Sequence, residues 1–377
     1  MFVFLAAEMT GIAAALSLIA GVPQWQTALL IGGFVLAYTV YGGLVASIVT
    51  DTIQTLVVLP LLAVGFAGAL FALGGTSELH TTAVAADPTL LDPSFRPGLE
   101  FGIYIAFAIL GANMLNQGIW QRVYAADGEA SLRRGFGTAA VVVIPMILLA
   151  GLFGVAAGAL GLTADGNASI AFFLVLESVF PTWVTLAVVV LVVLLVMSSA
   201  DTMFNAIASV VTADLARLVD ADRRTLWFGG RGLTVAVAVA AIFVGAQGYS
   251  VLELFLTADL LAAAVFVPFL AGLYTERLSG GGAIAASLAG IAVGVAHFPL
   301  LRAPLAAVPG LAGALPDPSF LFAFVGATAV SAAVTVAATA LSDADADLGS
   351  IDAQIRALDD PVADGGTEAD DASGSER

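Results

Sequence analysis

The chain alternates between long apolar runs and short polar breaks, and no run shows strict two-residue alternation. The runs are about 20 residues long, the length an α-helix needs to cross the hydrocarbon core of a bilayer. A membrane β-barrel would instead show short segments of alternating polarity. The pattern predicts an all-α, polytopic transmembrane bundle of about ten spans: roughly 2–20, 26–48, 52–74, 99–119, 136–161, 182–213, 226–246, 250–274, 279–299 and 319–341. A short amphipathic piece, SIAFFLVLESVF, precedes the sixth span.

Polar residues inside these spans carry the functional signal. The sixth span turns from TWVTLAVVVLVV into LLVMSSADTMFNA, residues 194–206. At 3.6 residues per turn, Ser198, Asp201, Thr202, Asn205, Ser209 and Thr212 fall on one stripe about 100° wide. Ser198 sits about 24 Å along the helix from Thr182, near mid-membrane. An aspartate at that depth needs a partner or a wet cavity. Clustered hydroxyl and carboxylate oxygens suit a hard cation such as Na+. The competing reading is that serine and threonine hydroxyls join neighbouring helices; it covers the serines well and Asp201 badly.

Two further clusters stand out. Asp51 lies in YTVYGGLVASIVTDTIQ, where paired glycines are expected to break one span before the next begins. There Asp51 and Gln54 can form a capping box, or Asp51 can face a cation. In ILGANMLNQGIWQRVYAADG, residues 109–128, Gly111, Asn113, Asn116, Gln117 and Gly118 interrupt an apolar span. They predict a discontinuous helix whose freed backbone groups can bind a ligand, or a helix end reaching the cytoplasm. Asp259 is a further mid-span carboxylate for which the sequence names no partner.

Composition narrows the class. Of 377 residues, 60% are hydrophobic and 11% charged, far below the quarter typical of soluble domains. Cysteine is absent and the two histidines, His80 and His297, are far apart, so neither thiolate nor histidine metal chemistry is expected. His297, at the end of a span, reads as an interfacial residue. No P-loop, HExxH or GxSxG motif occurs in a meaningful context; neither an enzyme nor a nucleic-acid partner is expected.

The net charge of −17 is uneven: residues 343–377 carry eleven acids and two arginines, −9 in all, and read as a disordered acidic tail. All twelve basic residues are arginine, which with the acid excess suggests a halophile. Eight arginines (122, 133, 134, 217, 223, 224, 231 and 277) fall on one membrane face and only Arg96 and Arg302 on the other, so the first face, and the tail with it, is expected to be cytoplasmic. The first apolar run lacks the basic flank of a secretory signal peptide.

Taken together, these blocks resemble the sodium:solute symporter family. YTVYGGLVASIVTDTIQ, NQGIWQRVYAADG, MSSADTMFNAIASVVTADLAR and ADLLAAAVFVPFLAGLYTERLSGGGAIAASLAG are similar to its motifs, come in family order and cover residues 1 to about 300. The resemblance implies a leucine-transporter-type, five-plus-five inverted repeat with ion and solute near the midplane. It implies Na+ as the coupling ion, with Ser198, Ser199 and the Leu195 carbonyl as ligands of the shared sodium site. It further implies Asp51, Asp201 and Thr202 at a second sodium site one turn inward, and Asn113, Asn116 and Gln117 at the solute. It also implies that the repeat here lacks the family's first two core helices, to be supplied upstream or by another chain. The expected activity is sodium-coupled symport of a small organic solute by alternating access. The alternative is a non-transporting remnant or sensor of the same fold. Proline, other amino acids, monocarboxylates, urea and sugars are all compatible with the sequence.

Overall fold

The computed structural model describes residues 1–163, 168–218 and 223–343; stretches 38–51, 211–218 and 223–227, and residue 54, are described as backbone only. The described residues form helices and turns, without strands. The helices run α1 (Phe2–Ala20), α2 (Gln24–Ala72), α3 (Thr76–Ala86), α4 (Arg96–Met114), α5 (Gln117–Tyr124), α6 (Glu129–Ala159) and α7 (Ala171–Val179). They continue as α8 (Thr182–Leu218), α9 (Arg223–Gly245), α10 (Val251–Tyr274), α11 (Gly280–His297), α12 (Arg302–Ala306) and α13 (Ala327–Leu341), the last preceded by a π-turn at Phe322–Gly326. Nine helices among the described residues are long and apolar enough to cross a membrane.

One expectation fails outright. The two spans predicted at 26–48 and 52–74 are a single helix of 49 residues, about 73 Å long at 1.5 Å per residue. The glycine pair does not end the helix; each mid-helix glycine costs only about 1 kcal/mol against alanine. Pro60 is accommodated within it. Asp51 is therefore inside a helix and does not cap one; the side chains of Asp51 and Gln54 lie outside the described residues. Segment 75–98 holds α3 and a 3-10 turn at Pro88–Leu91.

The chain divides into two compact units, Met1–Ala262 and Ala263 onward. In the first, Leu5, Met9 and Ile12 fall on one face of α1. They bury against Val35 of α2, Val196, Ala200 and Phe204 of α8, and Ala238 and Ala241 of α9. Residues spaced by three and four stack on one helical face, so this is a face chosen by periodicity. A second cluster joins Phe153 of α6 to Val175 and Leu176 of α7, Ala69 of α2 and Val188 of α8. Large apolar side chains also point outward, among them Leu30, Phe71, Val141 and Trp183. Lipid is the solvent that tolerates such a surface.

In the second unit α11 and α13 pack closely through small residues. A Cβ added at Gly290 would lie 2.9 Å from the Ala327 carbonyl oxygen and from Ser331 Cβ. Without a hydrophobic force between helices in lipid, such close backbone approach supplies the attraction. The Thr328 hydroxyl donates to the Ala263 carbonyl at 3.0 Å. His297 ends α11, with Nδ1 3.1 Å from the Asp317 carbonyl oxygen. The acidic tail from residue 344 lies outside the described residues.

Candidate functional site

The polar edge of α8 is enclosed by protein. Ser198 is 5% exposed and Asp201 4%. Leu195, Ser199, Thr202 and Asn205 are half-buried, and Ser209 is exposed. Thr212 lies beyond the described side chains. Asn205 Nδ2 donates to Asp201 Oδ1 at 3.1 Å, one turn along. A carboxylate with an amide partner can remain in a low-dielectric setting at a cost a bare one cannot meet.

The short helix α5 is fastened to this edge. Arg122 Nη2 donates to Thr202 Oγ1 at 3.0 Å, while its Nη1 donates to the Gly118 carbonyl at 3.0 Å. Gln121 Nε2 donates to Ser209 Oγ at 2.7 Å. Contact is close: a Cβ at Gly118 would stand 2.8 Å from Thr202 Cγ2. Only glycine lets α5 approach this far.

The break before α5 falls in the interrupted stretch, as its glycines and amides predict. The α4 helix ends at Met114 and α5 begins at Gln117. Asn116 caps α5, its Oδ1 accepting from Gly118 N at 2.8 Å. Trp120 Nε1 donates to the Met114 carbonyl at 2.8 Å. Both contacts satisfy backbone groups that helix ends leave open.

Beside this break lies a cavity of about 380 Å³. Its lining includes Phe4 of α1, Ile109, Asn113 and Asn116 from α4 and the break, Met203 of α8, and Phe255 and Asp259 of α10. Asn113 Nδ2 donates back to the Ile109 carbonyl at 2.9 Å. Asp259 is 4% exposed, and its Oδ1 meets no hydrogen-bond donor among the described residues. Gln117 is not among the lining residues. Thr202 and Met203, adjacent in sequence, thus divide α8: one touches α5, the other the cavity. Among the described residues no three His, Cys, Asp or Glu side chains gather as a metal site.

A sodium:solute symporter family model matches residues 1–290. The chain belongs to the sodium:solute symporter family. The chain is 28% identical over 279 residues to a spermidine transporter of Candida albicans, covering 72% of this chain and 51% of that protein. It is 34% identical over 112 residues to the sodium/pantothenate symporter of Escherichia coli, covering 28% of this chain and 23% of that protein. It therefore spans about half the length of the first of these curated relatives. A solved structure, the substrate-bound outward-open state of a Na+-coupled sialic acid symporter, matches with a TM-score of 0.65 at 20% identity, over 91% of this chain and 74% of that one. That likeness establishes the fold, a leucine-transporter-type helical arrangement in a multi-pass membrane protein, and the family is one of transporters, not enzymes.

Two features of the site escaped the sequence. In the sequence Arg122 reads as a charge that orients the chain and as part of the NQGIWQRVYAADG block; its contact with Thr202 spans 80 residues. Phe4 and Phe255 read as ordinary apolar positions, yet both line the cavity. The available signal was Asp259, whose charge in an apolar span already asked for a partner.

Proposed function

We propose that this symporter chain binds Na+ on the buried edge of α8 and couples it to the uptake of a small organic solute. Ser198, Ser199 and the Leu195 carbonyl are the proposed ligands of one sodium ion, with Asp201, Thr202 and Asp51 serving a second. Asn113 and Asn116 are proposed to meet the solute, with Gln117 beside them at the start of α5. The observation that carries this reading is the burial of Ser198 and Asp201 within protein. Oxygen-bearing side chains turned toward lipid could not gather an ion.

Thr202 is the weaker member of the ion set. Its hydroxyl has a second lone pair, but a guanidinium at 3.0 Å opposes another positive charge nearby. Alternating access would carry ion and solute across together, each raising the affinity for the other. The arginine bias supports a cytoplasmic C-terminal tail.

The test is saturable binding of radioactive sodium to the full chain in detergent. The expected result is binding that Ser198→Ala and Ser199→Ala each weaken. Binding indifferent to both substitutions would remove the proposal.

A further inference from the structure

Resting on the reading of this chain as a symporter with its solute in the cavity, we infer that the solute is an organic cation. It carries an ammonium group on a short apolar frame, with the charge held by Asp259 and the rings of Phe4 and Phe255.

The lining supports this from three sides. First, its polar atoms are mainly acceptors. Asp259 brings a carboxylate whose Oδ1 meets no donor among the described residues. Asn113 has turned its amide NH2 onto the Ile109 carbonyl, which leaves its oxygen as the free end. Among the described residues no arginine or histidine lines the cavity. Second, Phe4 and Phe255 stand with ring centroids 5.7 Å apart and both border the space. Aromatic faces attract ammonium through the negative face of their quadrupole, and more strongly where water is excluded. Third, the remainder is aliphatic or thioether: Ile109, Met203 and their neighbours. That surface suits methylene groups and offers nothing to a polyol.

Other solute classes fit less well. An anion would meet a carboxylate and no cationic side chain. A zwitterion would satisfy Asp259 but leave its own carboxylate opposite apolar groups. A neutral solute would leave Asp259 to take up a proton or stay buried without a counter-charge, and would gain nothing from its carboxylate. A lone Na+ would fill a small fraction of about 380 Å³ and would face rings where it needs oxygen ligands. Two donors are left over among the described lining residues, the second N–H of Asn113 and the NH2 of Asn116, whose oxygen accepts from Gly118 N; they can meet an acceptor at the far end of the solute.

The experiment uses the full chain in detergent and three probes of one size: pentylammonium, pentanol and pentanoate. Binding of each is measured by displacement and calorimetry, with and without Na+. The expected result is binding of pentylammonium at least about tenfold tighter than either isostere, the scale of one charge-assisted hydrogen bond. Asp259→Asn should erase that preference, and Phe255→Leu should reduce it. The comparison among isosteres is made on the unaltered protein, so a poorly folded variant does not protect the inference. Equal binding of pentanol or pentanoate would overturn it, as would an ammonium preference that survives in a folded Asp259→Asn. Loss of sodium binding in Asp259→Asn without any ammonium binding would also overturn it. An ammonium preference unaffected by Na+ would uphold the cation cavity while removing sodium coupling. Sodium-dependent binding that ignores the probe's charge would do the reverse.

Discussion

Asp201 and Asp259 are both aspartates in apolar helices, and both are 4% exposed. What surrounds them differs. Asp201 accepts from Asn205 and sits on an edge of hydroxyls that α5 covers. Asp259 keeps an oxygen without a donor among the described residues and opens onto a cavity. Burial alone therefore does not tell what a membrane carboxylate is for. The partner set does: Asp201 has an amide donor on an edge that bears hydroxyls, whereas Asp259 borders a cavity of rings and aliphatic side chains.

The sharpest way to break this contrast is to exchange the two losses. Asp201→Ala should weaken sodium binding by about 100-fold, the scale of losing a charged ligand together with its hydrogen bond. Asp259→Asn should leave sodium affinity within about twofold, the size expected of a charge that is no ligand. Radioactive sodium titrations decide, and the opposite ranking would invert the assignment.

Next in size is the α5–α8 contact that sets Asp201's side apart. Gly118→Ala places a methyl 2.8 Å from Thr202 Cγ2. It should cost roughly 1–3 kcal/mol, as overpacking does, read as a lower thermal unfolding midpoint in detergent. An unchanged midpoint would mean that α5 is not seated as described.

Ser198→Ala removes one neutral oxygen from the ion edge. A loss of about tenfold in sodium affinity is expected, with helix content by circular dichroism unchanged. The smallest effect is expected from Arg122→Gln. Removing a positive charge next to Thr202 should raise sodium affinity by about threefold, a gain that high salt reduces only slightly if the site is shielded from solvent. A fall in affinity would show that Arg122 supports the ion site and does not compete with it.

The parts of this molecule that periodicity governs were legible in its sequence. The apolar runs located most of the helices, and the stripe from Ser198 to Ser209 located a polar edge. The glycines and amides of 109–118 marked the break between α4 and α5. Two kinds of feature were not legible. Glycine is a weak helix breaker without proline, so GlyGly in the second run did not produce the expected turn. Contacts between distant segments left no local trace: nothing near Thr202 announces Arg122, and nothing near Asp259 announces Phe4. The proposed solute class rests on just such contacts, since four separate stretches of chain line the cavity.

Asn116 belongs to two structures at once. Its oxygen closes the first turn of α5, and its side chain also borders the cavity. A guest that draws this side chain away from Gly118 N would loosen a cap worth about 1 kcal/mol. The helix so loosened is the one whose arginine grips Thr202. The cavity and the polar edge of α8 are thus joined by a single eight-residue lever.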